Sequence, residues 1–445
     1  MKKRLLLLML SGILLLGQNH LSAQKTVTLD ECIRLSLKNN LQMVNGEIDI
    51  KSVNSRIKEA KSGLLPSVDI TGQYQYYLSM PKMLVPAEFF GGKAGEYAEV
   101  AFGSEQTSSA SLQVTQVLYN QKVFIGLKAA KTAKNMTELQ VSKTKEDLIY
   151  NVSAVYYNLQ VVQENLNMID TNIVRLEKLL NTSKILQANE IISRTNLKRL
   201  QINYDNLKNE RNNLQLVGAK AYNLLKYLLG VQLSEPIVVA AFEPVEASEA
   251  MSKGNVENRT DVKLVREQIS LAELDKKAAI ADYYPTLAGV FNYGVTGNYN
   301  KVSPFKSIND NWIKSSYIAL QLKIPVFSGL SRYNQVKQKN FAVQKAQNNY
   351  ELLRQSAEKE MSDAVNNLMS SNNSFDNAKR SLELAQDVFK SSDTEYRNGL
   401  ISLSDILQIQ NELTTARNNY STALINLRLA EIELKKANGS LSKSY

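Results

Sequence analysis

Histidine occurs once in this chain, as His20, inside an N-terminal stretch that reads as a cleavable leader. A mature protein without imidazole has no Ser/His or Cys/His nucleophile pair and none of the usual zinc ligand sets. A Gly-x-x-x-x-Gly-Lys-Ser/Thr loop for a nucleotide is also missing. The chain is therefore expected not to be an enzyme and to need no cofactor or metal. Cysteine is as scarce: Cys32 stands alone, which excludes an internal disulfide. The Leu29-Asp30-Glu31 before it lacks the small uncharged residues of a lipoprotein-processing site, so Cys32 is read as a buried small hydrophobe. No apolar run reaches the roughly 20 residues of a membrane helix.

What is present begins with Met1-Lys2-Lys3-Arg4, an apolar run from Leu5 to Leu16, and the small-residue stretch Leu21-Ser22-Ala23. That order is a secretory signal peptide, with cleavage expected after Ala23. The formal charge of +10 falls by three when the leader leaves, and the remaining lysines are scattered among glutamates and asparagines. Such scatter is a solvated surface and predicts no nucleic-acid partner.

Four long helices are predicted. Leu148, Val152, Val155, Leu159, Val162, Leu166, Ile169, Ile173, Leu176 and Leu180 step by 4 and 3 without a break, which is a heptad seam. With no proline from 121 to 188, one helix of about 100 Å fits. A second seam, Leu197 to Leu228 over 192–230, changes character at Arg211 and Gly218. The later half repeats the scheme over 329–398, with Phe375, Ala378, Leu382, Ala385, Phe389 and Tyr396 on one stripe. Over 402–438 the stripe runs Ile406, Ile409, Leu413, Ala416, Tyr420, Ala423, Leu427, Ala430 and Leu434. On these stripes alone, a secreted structural coiled coil acting as adhesin or scaffold is the rival reading.

Between the helices the period becomes two. In 66–78, Val68, Ile70, Tyr74, Tyr76 and Leu78 alternate with Ser67, Asp69, Thr71, Gln73 and Gln75. The alternation returns in 285–296, and in 313–327 with Ile318, Leu320, Leu322, Ile324 and Val326. It is weaker in 109–119. Segments of about 10 residues, apolar on one side and polar on the other, suit a membrane barrel, although any one of them also fits a half-buried soluble sheet. Four strands cannot close a barrel, since the smallest have about 8, so several chains must share it.

The two halves match. Leu65-Pro66-Ser67-Val68 falls on Tyr284-Pro285-Thr286-Leu287, Ser111-Leu112-Gln113-Val114 on Ala319-Leu320-Gln321-Leu322, and Asn189 and Ile192-Ser193 on Asn398 and Ile401-Ser402. The chain is one unit duplicated. The expected division is a leader at 1–23, a first repeat at 24–230, a linker at 231–258, a second repeat at 259–438 and a tail at 439–445.

Each half reads helix, strand, loop, strand, long helix, turn, long helix, and this order resembles the outer-membrane efflux protein (TolC-like) family. The resemblance is carried by Thr28-Leu29-Asp30-Glu31-Cys32-Ile33, Leu65-Pro66-Ser67, Tyr284-Pro285-Thr286, Pro325-Val326-Phe327-Ser328-Gly329 and Tyr396-Arg397-Asn398-Gly399-Leu400-Ile401-Ser402. It implies a mixed α and membrane β fold: a homotrimer in the outer membrane of a Gram-negative-type bacterium, with four strands per subunit in a 12-stranded barrel. Its helices would form a periplasmic tunnel, with the linker and tail in an equatorial belt. It implies a passive exit duct for efflux or type I secretion. Its partners would be a periplasmic adaptor and an inner-membrane transporter of resistance-nodulation-division or ATP-binding-cassette type. The stretches from Ser79 to Ser108 and from Gly297 to Asn311 would be extracellular loops, and Trp312 an interface anchor.

The resemblance also places the gate. The turns at 189–195 and 397–402 would lie at the periplasmic tip, with Asn189, Asn398 and Gly399 at the adaptor-docking turns. Asp405 stands where the family carries a three-fold acidic ring, and Gln408 where it carries a second, leaving one ring here. Thr195 and Asn196 match a Thr-Asp pair, and Tyr396 a tyrosine of the closed state, while Ile401 stands where arginine can occur. Read as residues alone, Ser402 with Asp405 is a capping box, Thr195 and Asn196 fit a helix cap, Tyr396 fits its heptad stripe, and Gly399 supplies the positive φ of a tight turn.

Overall fold

The computed structural model describes residues 25–190, 192–241, 255–300 and 312–441. The leader, part of the linker, most of the second loop and the end of the tail lie outside the described residues. Contacts divide the chain into two compact units, one formed by 1–49, 138–264 and 351–445, the other by 50–137 and 265–350.

The first unit is helical. Helix α1 (Leu29–Asn39) starts at a capping box in which Glu31 N–H donates to the Thr28 hydroxyl at 3.3 Å and Thr28 N–H to the Glu31 carboxylate at 2.9 Å. Helix α2 (Leu41–Ser62) begins in this unit. Helix α3 (Gln121–Ala188) has 68 residues, about 100 Å at 1.5 Å each, and α4 (Arg194–Leu229) returns beside it. Every residue of the α3 seam and every residue of the α4 seam is buried or half-buried. The two interruptions of the second seam also have structural work: Arg211 donates to Asp170 of α3 at 2.5 Å, and a Cβ on Gly218 would meet Val162 at 3.1 Å, so the glycine lets the helices approach closely.

The largest core joins Val27, Cys32, Ile33, Ile149, Leu159, Leu225, Leu229, Val239 and Leu441. Cys32 is fully buried, as its surroundings in the sequence suggested. Two short strands, β1 (Lys25–Val27) and a partner at Ile237–Val239, pair in parallel across some 200 residues of sequence. Tyr156 of α3 donates to Val27 O at 3.2 Å, and burial pushes its phenol up to about 12.

The second unit holds a four-stranded sheet: β2 (Ser67–Tyr76), β5 (Gln106–Tyr119), β7 (Thr286–Tyr299) and β8 (Trp312–Lys323), antiparallel in that order. Between β2 and β5 in the chain lies a small hairpin, β3 (Lys82–Pro86) with β4 (Tyr97–Ala101), and β6 is the Ile237–Val239 strand of the helical unit. The register aligns the two repeats face to face. One central row reads Val68, Val114, Phe291, Ile318 and the next Ile70, Leu112, Tyr293, Ser316. The opposite face carries Asp69, Gln113, Asn292, Tyr317 and then Thr71, Ser111, Gly294, Ser315. A bulge at Leu118 shifts the phase of β5 by one residue, so that Tyr119 joins Leu287 and Leu322 on the apolar side.

Three details differ from expectation. The last strand stops at Lys323, not 327, because Pro325 has no N–H for the ladder. The weak segment at 109–119 is a 14-residue central strand, held by neighbours on both sides that its own composition does not disclose. The stretch from Ser79 to Ser108, expected as a plain loop, carries the β3–β4 hairpin. The remaining helices are α5 (Thr260–Ala281), α6 (Ser331–Arg397) and α7 (Leu403–Ala437). The stripes of α6 and α7 are buried or half-buried throughout, and Phe375 meets Tyr420 with ring centroids 5.5 Å apart.

Candidate functional site

The turns after α3 and α6 use the same backbone device. After α6, Leu400 N–H donates to Glu395 O at 2.9 Å and Gly399 N–H to Tyr396 O at 3.0 Å, with Gly399 left-handed at φ 72. This is a Schellman-type stop. After α3, Glu190 holds the corresponding left-handed position at φ 59, although it carries a side chain. Asn189 secures that turn by donating Nδ2 to Ile185 O at 2.9 Å. Each following helix starts on a serine: Ser193 accepts from Asn196 N–H at 3.2 Å, and Ser402 from Asp405 N–H at 3.2 Å.

Asp405 is exposed and completes a full capping box, accepting from the Ser402 hydroxyl at 2.7 Å and from Ser402 N–H at 3.0 Å. These bonds hold its carboxyl below the usual carboxylate range. Because the folded value is depressed, the cap is at full strength above the ordinary Asp pKa of about 3.9 and is lost as pH falls through the lower folded value. Fraying of the α7 N-terminus, followed by amide hydrogen exchange at Asp405 and Ile406, is therefore expected to rise below that range. Asp405→Asn is expected to flatten this pH dependence, and an unchanged profile would show that the cap does not control the helix end.

Gln408 is exposed one turn further on and donates to Glu412 at 3.1 Å. Tyr396 is half-buried in the last turn of α6, and burial raises its phenol pKa. Thr195 is exposed and Asn196 half-buried in the first turn of α4. Leu176 and Leu180 of α3, Leu197 and Leu200 of α4, and Leu403 and Leu407 of α7 form one apolar cluster that holds the starts of α4 and α7 together. Across that join, Arg199 Nη1 donates to Ser404 Oγ at 3.3 Å. Arg199 escaped the sequence reading, although the 209-residue repeat offset places it on Gln408.

A sheet that is apolar on one face, polar on the other and unpaired at both edges, in a chain of heptad helices, defines a subunit of a membrane duct. The family model described as outer membrane efflux protein matches residues 32–231 and again 255–440, once per repeat, and the chain belongs to this family. It is 22% identical to the outer membrane protein TolC of Vibrio cholerae over 95% of this chain and 93% of that one. It is 23% identical to TolC of Escherichia coli over 100% of this chain and 87% of that one. Its fold is shared with the Campylobacter jejuni CmeC outer membrane channel: TM-score 0.74 at 16% identity, covering 93% of this chain and 85% of that one.

Proposed function

We propose that three copies of this chain form the outer-membrane exit duct of a tripartite efflux or type I secretion system. The observation that carries this is the exposed apolar face of the four-stranded sheet. Ile318 is 82% exposed, Ile70 79% and Leu320 73%, and water would penalise such a surface by roughly 25 cal/mol per Å². Lipid removes that penalty. It also forbids unpaired strand edges, and here β2 and β8 are edges. Since β2 and β7 run opposite to β5 and β8, β8 of one copy beside β2 of the next continues the antiparallel alternation. Three copies then close 12 strands with the polar face inward. Tyr74, Tyr76, Tyr299 and Trp312 lie toward one end of the apolar face and Tyr119 toward the other, as interfacial girdles do. The coiled-coil rival gives this face no purpose.

In this reading residues 1–23 are an export signal, the mature protein is not lipidated, and the chain performs no catalysis. A periplasmic adaptor docks at the turns containing Asn189, Asn398 and Gly399, and an inner-membrane transporter of resistance-nodulation-division or ATP-binding-cassette type supplies the energy. The gate is formed by Asp405, Gln408, Tyr396, Thr195 and Asn196, with tip helices packed closed at rest and shifted to an open packing by the adaptor. Purified mature protein in a planar bilayer is expected to show small resting currents that rise in Asp405→Ala or Tyr396→Phe. Currents indifferent to both changes would move the gate elsewhere, and a well-folded protein that passes no current would remove the duct reading.

A further inference from the structure

Helices α3, α4 and α7 of the first unit enclose a cavity of about 420 Å³. That volume lies within the range of pockets that hold small molecules, roughly 300–1,000 Å³. Its apolar lining includes Met168 and Ile169 of α3, both buried, and half-buried Leu214 of α4. Three polar side chains line the same space. The Oδ1 of Asn165 is buried and accepts no hydrogen bond. Arg417, half-buried on α7, and Glu210, exposed on α4, form no side-chain hydrogen bond or ion pair among the described residues, either with each other or with a third group.

Other partly buried arginines of this unit are paired. Arg259 meets Asp261 and Glu360 at 2.7 Å each, and Arg428 meets Glu431 at 2.9 Å. Arg417 also lines a second cavity of about 260 Å³ on the α6 side, together with Glu164, and forms no ion pair with it. A guanidinium that has given up part of its hydration recovers the loss only through acceptors, and a buried amide oxygen only through a donor.

A cationic fork, a carboxylate and a lone acceptor around one apolar space are complementary to an apolar molecule that carries a carboxylate, an ammonium and an amide N–H. A short peptide with free termini has all three. Its carboxylate suits Arg417, whose N–H groups meet two oxygens at once. Its ammonium suits Glu210, and its peptide N–H suits Asn165 Oδ1.

We propose that this cavity binds one short apolar peptide with free termini per chain, and that Arg417 is the residue that selects its carboxylate end. Bound there, the peptide ties α7 to α3 and α4. The site lies within one chain, so the inference does not rest on the three-fold duct.

The test is calorimetric titration of the purified mature protein, held in lipid nanodiscs, with dileucine, dileucine amide and N-acetyl-dileucine. Dileucine is expected to bind saturably at one site per chain. The amide lacks the carboxylate and is expected to bind about tenfold more weakly, as loss of a charge-assisted hydrogen bond implies. The acetylated form lacks the ammonium and is expected to lose only about threefold, because Glu210 is exposed and solvent screens its pairing. Arg417→Gln is expected to weaken dileucine about tenfold while leaving the amide unchanged, and Arg417→Lys to recover part of that loss. The ligand series on the unaltered protein decides the matter even if a variant fails to fold. The inference is overturned by no saturable binding of dileucine, by equal affinity for dileucine and either blocked form, or by a loss in Arg417→Gln that is absent or uniform across the three ligands. None of these outcomes touches the duct, which conductance tests.

Discussion

Replacing Gly230 by alanine is expected to destabilise the helical unit by roughly 3 kcal/mol, the sum of a left-handed backbone penalty and an overpacking penalty. Gly230 ends α4 at φ 67, with its N–H donating back to Tyr227 O at 3.1 Å. A Cβ there would lie 2.5 Å from Asn39 O, 2.7 Å from Asn39 C and 2.9 Å from Asn40 N. All three are backbone atoms, so no side-chain rotation relieves the clash. The same corner is fastened by Asn40, whose Nδ2 donates to Leu228 O at 2.9 Å, and the core residues Leu225 and Leu229 sit directly before it. Gly399 provides the control. Its φ of 72 is nearly the same, but a Cβ there meets nothing within 4 Å, so Gly399→Ala carries only the backbone penalty of about 1–2 kcal/mol. Thermal unfolding followed by helical circular dichroism should therefore place the Gly230 variant well below the Gly399 variant. Equal midpoints would mean that the α1–α2 corner yields freely, and the close approach would lose its significance.

Ile318→Arg is expected to cost about 2–4 kcal/mol of membrane stability, the range for a lipid-facing arginine near the midplane of a barrel. Ile318 shares its row with Val68, Val114 and Phe291, near the middle of β8, far from any interface to which the guanidinium could extend. Gln321→Arg is the comparison: it occupies the polar face of the same strand beside Ala288, where the duct interior is aqueous, and is expected to be nearly neutral. Insertion into lipid vesicles, measured by retention of the folded, heat-modifiable form on an electrophoresis gel, separates the two. If both arginines insert equally well, the apolar face does not meet lipid, and the closed 12-stranded barrel loses its principal support.

Lys314 is the charged residue on the apolar face of β8, in the row of Gly72, Ala110 and Val295 next to that of Trp312. Its place near the strand end fits a long cationic side chain that reaches the interface. The alternation in the sequence locates this charge on the correct face, but the tolerable depth follows only from the register. The tip is similar. The serine caps, the Asn-Gly turn and the carboxylate at 405 are all recognisable as local signals. That Arg199 reaches Ser404 across 205 residues is a consequence of packing that leaves no local trace, and Glu190 takes its left-handed position without the glycine that marks the turn after α6.

Heptad spacing and two-residue alternation report which side of a segment is apolar, because each depends only on the pitch of the backbone. The sequence alone therefore determined the long helices, the duplication, and the two faces of three of the four strands. It did not determine where one segment lies along another. The bulge at Leu118, the parallel pairing of Lys25–Val27 with Ile237–Val239, the close approach at Gly230 and the join between α4 and α7 are contacts between distant segments. Such contacts are chosen by the combined fit of many side chains and backbone hydrogen bonds, and that fit exists only once the tertiary structure has brought those segments together.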